Sequence, residues 1–144
     1  MNHALTLARH AGLKGEVPVG AVVLDPRGNL LSEGANAPIC DADPSAHAEM
    51  IAIRKAAKTT GNYRLTGCTL IVTLEPCAMC AGAIAHARIK TLIYGASDPK
   101  GGAVAHGPKL FDQPTLHHRP EVIAGVEEKQ ASQLLKDFFA ARRK

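Results

Sequence analysis

The chain has 144 residues, 46% hydrophobic and 21% charged, with 13 Gly, 9 Pro and a formal net charge of +4. That length predicts one domain over residues 1–144, and the composition excludes a disordered, collagen-like or disulfide-scaffold protein. No uncharged apolar run approaches the ~18 residues that span a bilayer, and Arg9, His10 and Lys14 stand where a secretory leader would be apolar, so the expectation is a cytoplasmic protein without a membrane partner. The positive charge suits an anionic partner, while 3% aromatic content argues against a broad base-stacking platform.

Ala4, Leu5, Leu7, Ala8 and Ala11 recur near the helical period, which predicts a first helix over 4–13 ending near Gly12 or Gly15. Residues 17–24 are β-branched and apolar, 25–29 are turn formers and 30–34 are apolar again, the pattern of a hairpin. Asp43-Pro44-Ser45 supplies cap residues around a proline, and a second helix is expected to run from there to Thr60, with Gly61 closing it. The nearly continuous apolar run 68–74 predicts a strand buried on both faces and central in its sheet. Pro76 opens a third helix to about Arg88 and 90–95 forms another strand, giving a β-α-β unit with parallel pairing. The stretch 97–120 is rich in Gly, Pro and His, and its His106, His117 and His118 are expected to be solvated. Residues 121–126 predict a last strand and 130–143 a closing helix. The sum is an α/β protein, a three-layer α/β/α domain around a central mixed sheet of about five strands.

Two short patterns carry the chemistry, His47-Ala48-Glu49 and Pro76-Cys77-Ala78-Met79-Cys80. Positions two apart do not face each other inside a helix, so His47 and Glu49 converge only around a helix N-terminus. Cys77 and Cys80, three apart, fall on one face of the first turn after Pro76. Two helix N-termini therefore meet, and their positive dipole ends favour anionic thiolates and hydroxide. One imidazole and two thiolates suit zinc and leave a fourth position open, which marks a catalytic site, and Glu49 stands where a proton must be moved. A closed structural site completed by Cys40 or Cys68 would leave Glu49 without a role. A Cys77/Cys80 redox pair would leave His47 idle as well.

Together the two patterns resemble the signature of the cytidine deaminase-like zinc deaminases. Glu16-Val17-Pro18-Val19-Gly20-Ala21, Asn36-Ala37-Pro38, Asp43-Pro44-Ser45-Ala46, Asn62-Tyr63-Arg64-Leu65, Thr73-Leu74-Glu75, Gly95-Ala96-Ser97-Asp98 and the closing Asp137-Phe138-Phe139-Ala140-Ala141-Arg142-Arg143 are similar to the branch of that superfamily that deaminates tRNA adenosine. The resemblance covers nearly the whole chain. The sequence departs from the usual pattern at Gly101-Gly102-Ala103-Val104-Ala105-His106-Gly107, where many members carry serine, and at His117-His118-Arg119.

The resemblance implies one Zn²⁺ per subunit held by His47, Cys77 and Cys80, with Glu49 as the catalytic proton shuttle. Asn36 would hydrogen-bond the purine, the backbone at Ala48 would face its reacting edge, and Asp98 would contact RNA near the flipped nucleotide. One of Phe138 and Phe139 packs inward; Phe139 is the candidate to stack on RNA. Arg142 and Arg143, with Lys136 and Lys144, form a basic helix end suited to phosphate. The implied reaction adds water at C6 of the wobble adenosine of a tRNA anticodon loop while Glu49 protonates N1, giving inosine and ammonia, and the implied assembly is a homodimer. Two alternatives from other classes are a deaminase of a free guanine- or cytosine-type base or nucleotide on the same fold, and a zinc-dependent RNA-binding module.

Overall fold

The computed structural model describes residues 1–142, so the expectation attached to Arg143 lies outside the described residues. Helix α1 (Asn2–Leu13) buries Ala4, Leu5, Ala8 and Ala11, a stripe of mostly small side chains that lets the helix lie close to the sheet. Strand β1 (Gly20–Leu24) starts later than residue 17, because Pro18 has no N–H to give to a ladder and the Val19 N–H is spent on the Val17 carbonyl. The turn to β2 (Leu30–Ala35) is closed by Asp25, whose Oδ1 accepts the N–H groups of Arg27 and Asn29.

Helix α2 (Ala48–Thr60) also begins later than its expected cap residues. Asp43 Oδ1 instead accepts both the N–H and the hydroxyl of Ser45, which closes a separate turn and leaves His47 as the residue that enters the helix. Gly61 ends α2 with φ +71°, as its position predicted. Strand β3 (Thr69–Leu74), helix α3 (Ala78–His86) and strand β4 (Thr91–Ala96) make the expected β-α-β unit, with α3 shorter at both ends than 76–88. Strand β5 (Glu121–Ile123) and helix α4 (Glu128–Arg142) complete the described chain.

The five strands lie in the order β2-β1-β3-β4-β5, so the run at 68–74 is central as expected. Strand β1 pairs antiparallel with both β2 and β3, whereas β3, β4 and β5 run parallel. Helices α2 and α3 cover one face over the main core, built from buried residues such as Val23, Leu70, Val72, Ile84 and Leu92, and α1 and α4 cover the other. This is a three-layer α/β/α arrangement.

Gly34 of β2 fixes where α2 starts. A Cβ there would stand 2.5 Å from the Ala48 carbonyl oxygen, so only glycine lets the first turn of α2 rest directly on the sheet. The 97–120 stretch departs from the expectation of solvated histidines at His106 and His118, while His117 is exposed as expected. His118 Nε2 donates to the Ile89 carbonyl at 2.7 Å, His117 packs its ring against His86, and His106 bonds a buried carboxylate described below.

Candidate active site

His47 and Cys77 occupy equivalent places, each the extended residue just before a helix, with ψ of 151° and 176°. Cys80 is one turn into α3 and buried. His47 Nδ1 lies 3.6 Å from Cys77 Sγ and 3.5 Å from Cys80 Sγ, and the three ligand atoms lie within 4.8 Å of one another. A tetrahedral ion with Zn–S of about 2.3 Å and Zn–N of about 2.0 Å requires N···S separations of roughly 3.5 Å, and both nitrogen-to-sulfur distances here match that. Cys40 and Cys68 stand apart from this group: Cys68 is a small buried apolar side chain at the start of β3, and Cys40 is exposed. Among the described residues no fourth side chain closes the set.

The electrostatics follow from two helix N-termini and burial. The Cys80 thiol donates to the Cys77 sulfur, and with help from the Cys80 and Met79 N–H groups and His47 this holds the Cys77 pKa down to about 5 while pushing that of Cys80 up. A bound metal takes the place of that shared proton. Glu49 is 4% exposed in the first turn of α2, and burial, reinforced by the negative charge at Cys77, pushes its carboxyl up to about 7. A group that titrates near neutrality both accepts and returns protons.

Asn36 reaches across from the end of β2, and its Oδ1 accepts the Ala48 N–H at 2.8 Å. That bond satisfies a free N–H at the start of α2, and it turns the amide nitrogen of Asn36 toward the cavity side. Ala48 is itself buried, its N–H spent on Asn36. Asp98 lines the same cavity and uses Oδ1 for the N–H groups of Gly101 and Lys100. This inner cavity, of about 330 Å³, holds Asn36, His47, Glu49, Cys77 and Asp98. Across Val17, Leu74, Asp98 and Gly101 it meets an outer groove of about 560 Å³ that ends at Phe139, 44% exposed. Phe138 is half-buried, so the two aromatics divide as expected. Arg142 is not brought to the cavity: its guanidinium lies 3.8 Å above the Phe138 ring, beside α1.

Two buried carboxylates that organise the rim of this cavity were given no role in the sequence reading. Glu75, 2% exposed, accepts the Asp98 N–H on Oε1 at 3.0 Å and the N–H groups of Val104, Ala105 and His106 on Oε2. His106 Nδ1 completes the set at 2.8 Å to Oε1. Burial opposes its ionisation, but these donors outweigh burial and hold the carboxyl below its ordinary range. Gly102 makes the cradle possible, since a Cβ there would run into the Glu75 carboxyl carbon. On the other rim, buried Glu16 accepts the N–H groups of Ile39 and Cys40 and ties down the segment after Asn36. The available signal was a carboxylate next to an apolar residue, Leu74 of β3 or Val17 before β1, in a segment with few other charges.

The zinc-binding region of the cytidine and deoxycytidylate deaminases matches residues 1–96. The chain belongs to that deaminase family. A relative from Haemophilus influenzae named tRNA-specific adenosine deaminase is 52% identical over 143 residues, covering 99% of this chain and 83% of its own. A solved structure from biochemical and structural studies of A-to-I editing by tRNA:A34 deaminases at the wobble position of transfer RNA superposes with a TM-score of 0.92. It is 48% identical and covers 94% of this chain and 97% of that one. A guanine deaminase from Bacillus subtilis superposes with a TM-score of 0.65 at 36% identity, over 99% of this chain and 91% of that one. The zinc-binding character of the deaminase family agrees with the His47, Cys77 and Cys80 group.

Proposed function

We propose that this protein deaminates the wobble adenosine of a tRNA anticodon loop to inosine, with one zinc ion per subunit, as a cytoplasmic homodimer. The observation that carries the tRNA reading is the junction between the inner cavity and the outer groove at Asp98. A base can enter beside Glu49 while the chain attached to it runs out past Asp98 toward Phe139. The wobble nucleotide sits in an unpaired loop, where flipping costs least. The exposed apolar residue Met79 on α3 supports a contact between two copies through that helix.

His47, Cys77 and Cys80 would hold the metal, which when bound supplies Lewis acidity that makes water a nucleophile near neutral pH. Asn36 offers its amide nitrogen to an acceptor on the purine, and the Ala48 N–H fixes that amide by holding its oxygen. Glu49 takes one proton from the attacking water and gives it to N1, then takes the second from the resulting C6 hydroxyl and passes it to the amino group as the C6–N bond breaks and ammonia leaves. Asp98, Phe139, Arg142 and Arg143 would bind flanking RNA. Buried Glu75 holds the Asp98 segment in place.

The second reading, deamination of a free base, is favoured by the likeness to the guanine deaminase. Ammonia release from an adenosine-containing anticodon stem-loop, compared with adenosine, guanine and cytosine, separates the two. Turnover on the stem-loop with none on the free bases is expected, and the reverse pattern overturns the tRNA reading.

A further inference from the structure

The edge of the sheet opposite Glu49 carries a second concentration of polar groups. Thr66 and Gly67 precede β3, Lys90 precedes β4 and Arg119 precedes β5, and with Arg64 and Arg88 they line a cavity of about 600 Å³. All stand at the N-terminal ends of the parallel strands, whereas the candidate active site stands at the C-terminal ends. The six residues of β3 separate the two edges by roughly 20 Å at about 3.3 Å per residue.

The cations of this pocket are unbalanced. Among the described residues no carboxylate forms an ion pair with Arg64, Arg88, Lys90 or Arg119. One of them is pre-aimed. Arg119 donates Nε to the Phe111 carbonyl at 2.6 Å and Nη2 to the Gln113 carbonyl at 2.7 Å, which fixes its plane. Arg88 follows the end of α3 with φ +61°, its N–H bonded to the Ala85 carbonyl and that of Ile89 to the Ile84 carbonyl. Glycine is the residue best suited to that left-handed position, so the chain accepts backbone strain while keeping a guanidinium there. Beside them, Arg64 lies over one face of Tyr63 and donates Nε to its hydroxyl at 3.1 Å, and Tyr63 as a whole is 63% exposed.

We propose that this pocket binds phosphodiester groups of the RNA substrate at a point remote from the adenosine that reacts. The inference rests on the tRNA reading and adds a second contact to it. The cations do not converge on one point but span three strand ends, which suits a chain of phosphates better than a single anion. A planar guanidinium matches phosphate oxygens in pairs, and the exposed Tyr63 face offers a base a surface for stacking.

The test is a salt titration of anticodon stem-loop affinity for wild type and for the double variant Arg88→Gln/Lys90→Gln. Neither side chain makes a hydrogen bond in the structure, so the variant folds; Arg119 is left intact because it holds two loop carbonyls. Two lost phosphate contacts lower the slope of log K against log salt by about 1.4 to 1.8 and weaken binding about tenfold at physiological salt. KM rises in proportion while the single-turnover rate at saturating RNA stays level. A Lys55→Gln/Lys58→Gln control, with the same change in net charge on α2, keeps the wild-type slope. In a parallel arm, inorganic phosphate at matched ionic strength leaves the melting temperatures of both proteins alike. Equal slopes for wild type and the double variant overturn the proposal, as does an equal drop in the control. Equal slopes with phosphate stabilising only wild type assign the pocket to a free anion instead. If wild type neither binds nor deaminates the stem-loop, the tRNA reading itself fails; if it deaminates normally with unaltered slopes, only this inference does.

Discussion

The two ends of the parallel strands are built on opposite principles. At the C-terminal ends, Glu49, Glu75, Cys77 and Cys80 are enclosed, with partners within bonding distance supplied by helix starts and loop N–H groups. At the N-terminal ends, Arg64 and Lys90 are exposed on long side chains without a carboxylate partner. Bond-making chemistry requires groups whose positions and protonation are fixed before the substrate arrives, and burial with complete hydrogen bonding supplies that. Holding a flexible polyanion requires only charge within reach, which solvated side chains supply at little folding cost.

The contrast predicts steep losses at the first end and graded ones elsewhere. Cys80→Ala has the largest expected effect: zinc measured by metal analysis falls well below one per chain, deamination disappears, and the melting temperature drops because a ligand and a packed sulfur go together. A metal-replete, active Cys80→Ala protein removes this residue from the ligand set. Glu49→Ala comes next, lowering the single-turnover rate by about 10²- to 10⁴-fold with zinc content and RNA affinity kept, because the role proposed for Glu49 is to move protons and not to hold the metal. Loss of zinc with it would change its role to ligand.

Glu75→Gln tests enclosure without touching the reacting atoms. It puts an amide N–H₂ against N–H groups that need an acceptor and costs about 1–3 kcal/mol, measured by denaturant unfolding. Because the folded protein holds this carboxyl below the ordinary 4.5, its contribution is complete above about pH 4.5 and is lost as pH falls through the lower folded value. The wild type therefore loses stability more steeply on acidification than Glu75→Gln, and parallel acid limbs would show that the carboxylate's charge is not what holds the loop. Arg142→Ala has the smallest expected effect. It removes the stacking contact on Phe138 and at most one phosphate contact, so the salt slope falls by about 0.7 and KM rises a few-fold with kcat unaltered.

The convergence of His47, Glu49, Cys77 and Cys80 was legible because it is written in short local spacings: two apart at one helix start, three apart at another. The order of the sheet was legible in part, since an uninterrupted apolar run such as 68–74 has no solvent face and belongs in the middle. Helix starts were less so. Asp43 and Ser45 have the right side chains for caps, yet they bond each other, and Asn36 serves Ala48 from twelve residues away. The partners of Glu75 lie 23 to 31 residues downstream in a stretch whose composition suggests only a loop. Arg64, Arg88 and Arg119 are likewise far apart in sequence and meet only because three parallel strands begin together.

The way Glu75 holds its loop sets what that loop can tolerate. The contacts run largely from main-chain N–H groups at Asp98, Val104, Ala105 and His106, so the path of the segment is specified by its peptide units more than by its side chains. Lys100 and Ala105, whose side chains point to solvent, are free to vary in identity while the segment keeps its shape at the mouth of the cavity. Its length has no such freedom, because one residue inserted between Asp98 and Val104 would carry the N–H groups of Val104, Ala105 and His106 past Oε2, the one oxygen that receives these three. Exchange of exposed residues therefore reshapes this rim at little cost to the fold, whereas a change of length fits only beyond His106.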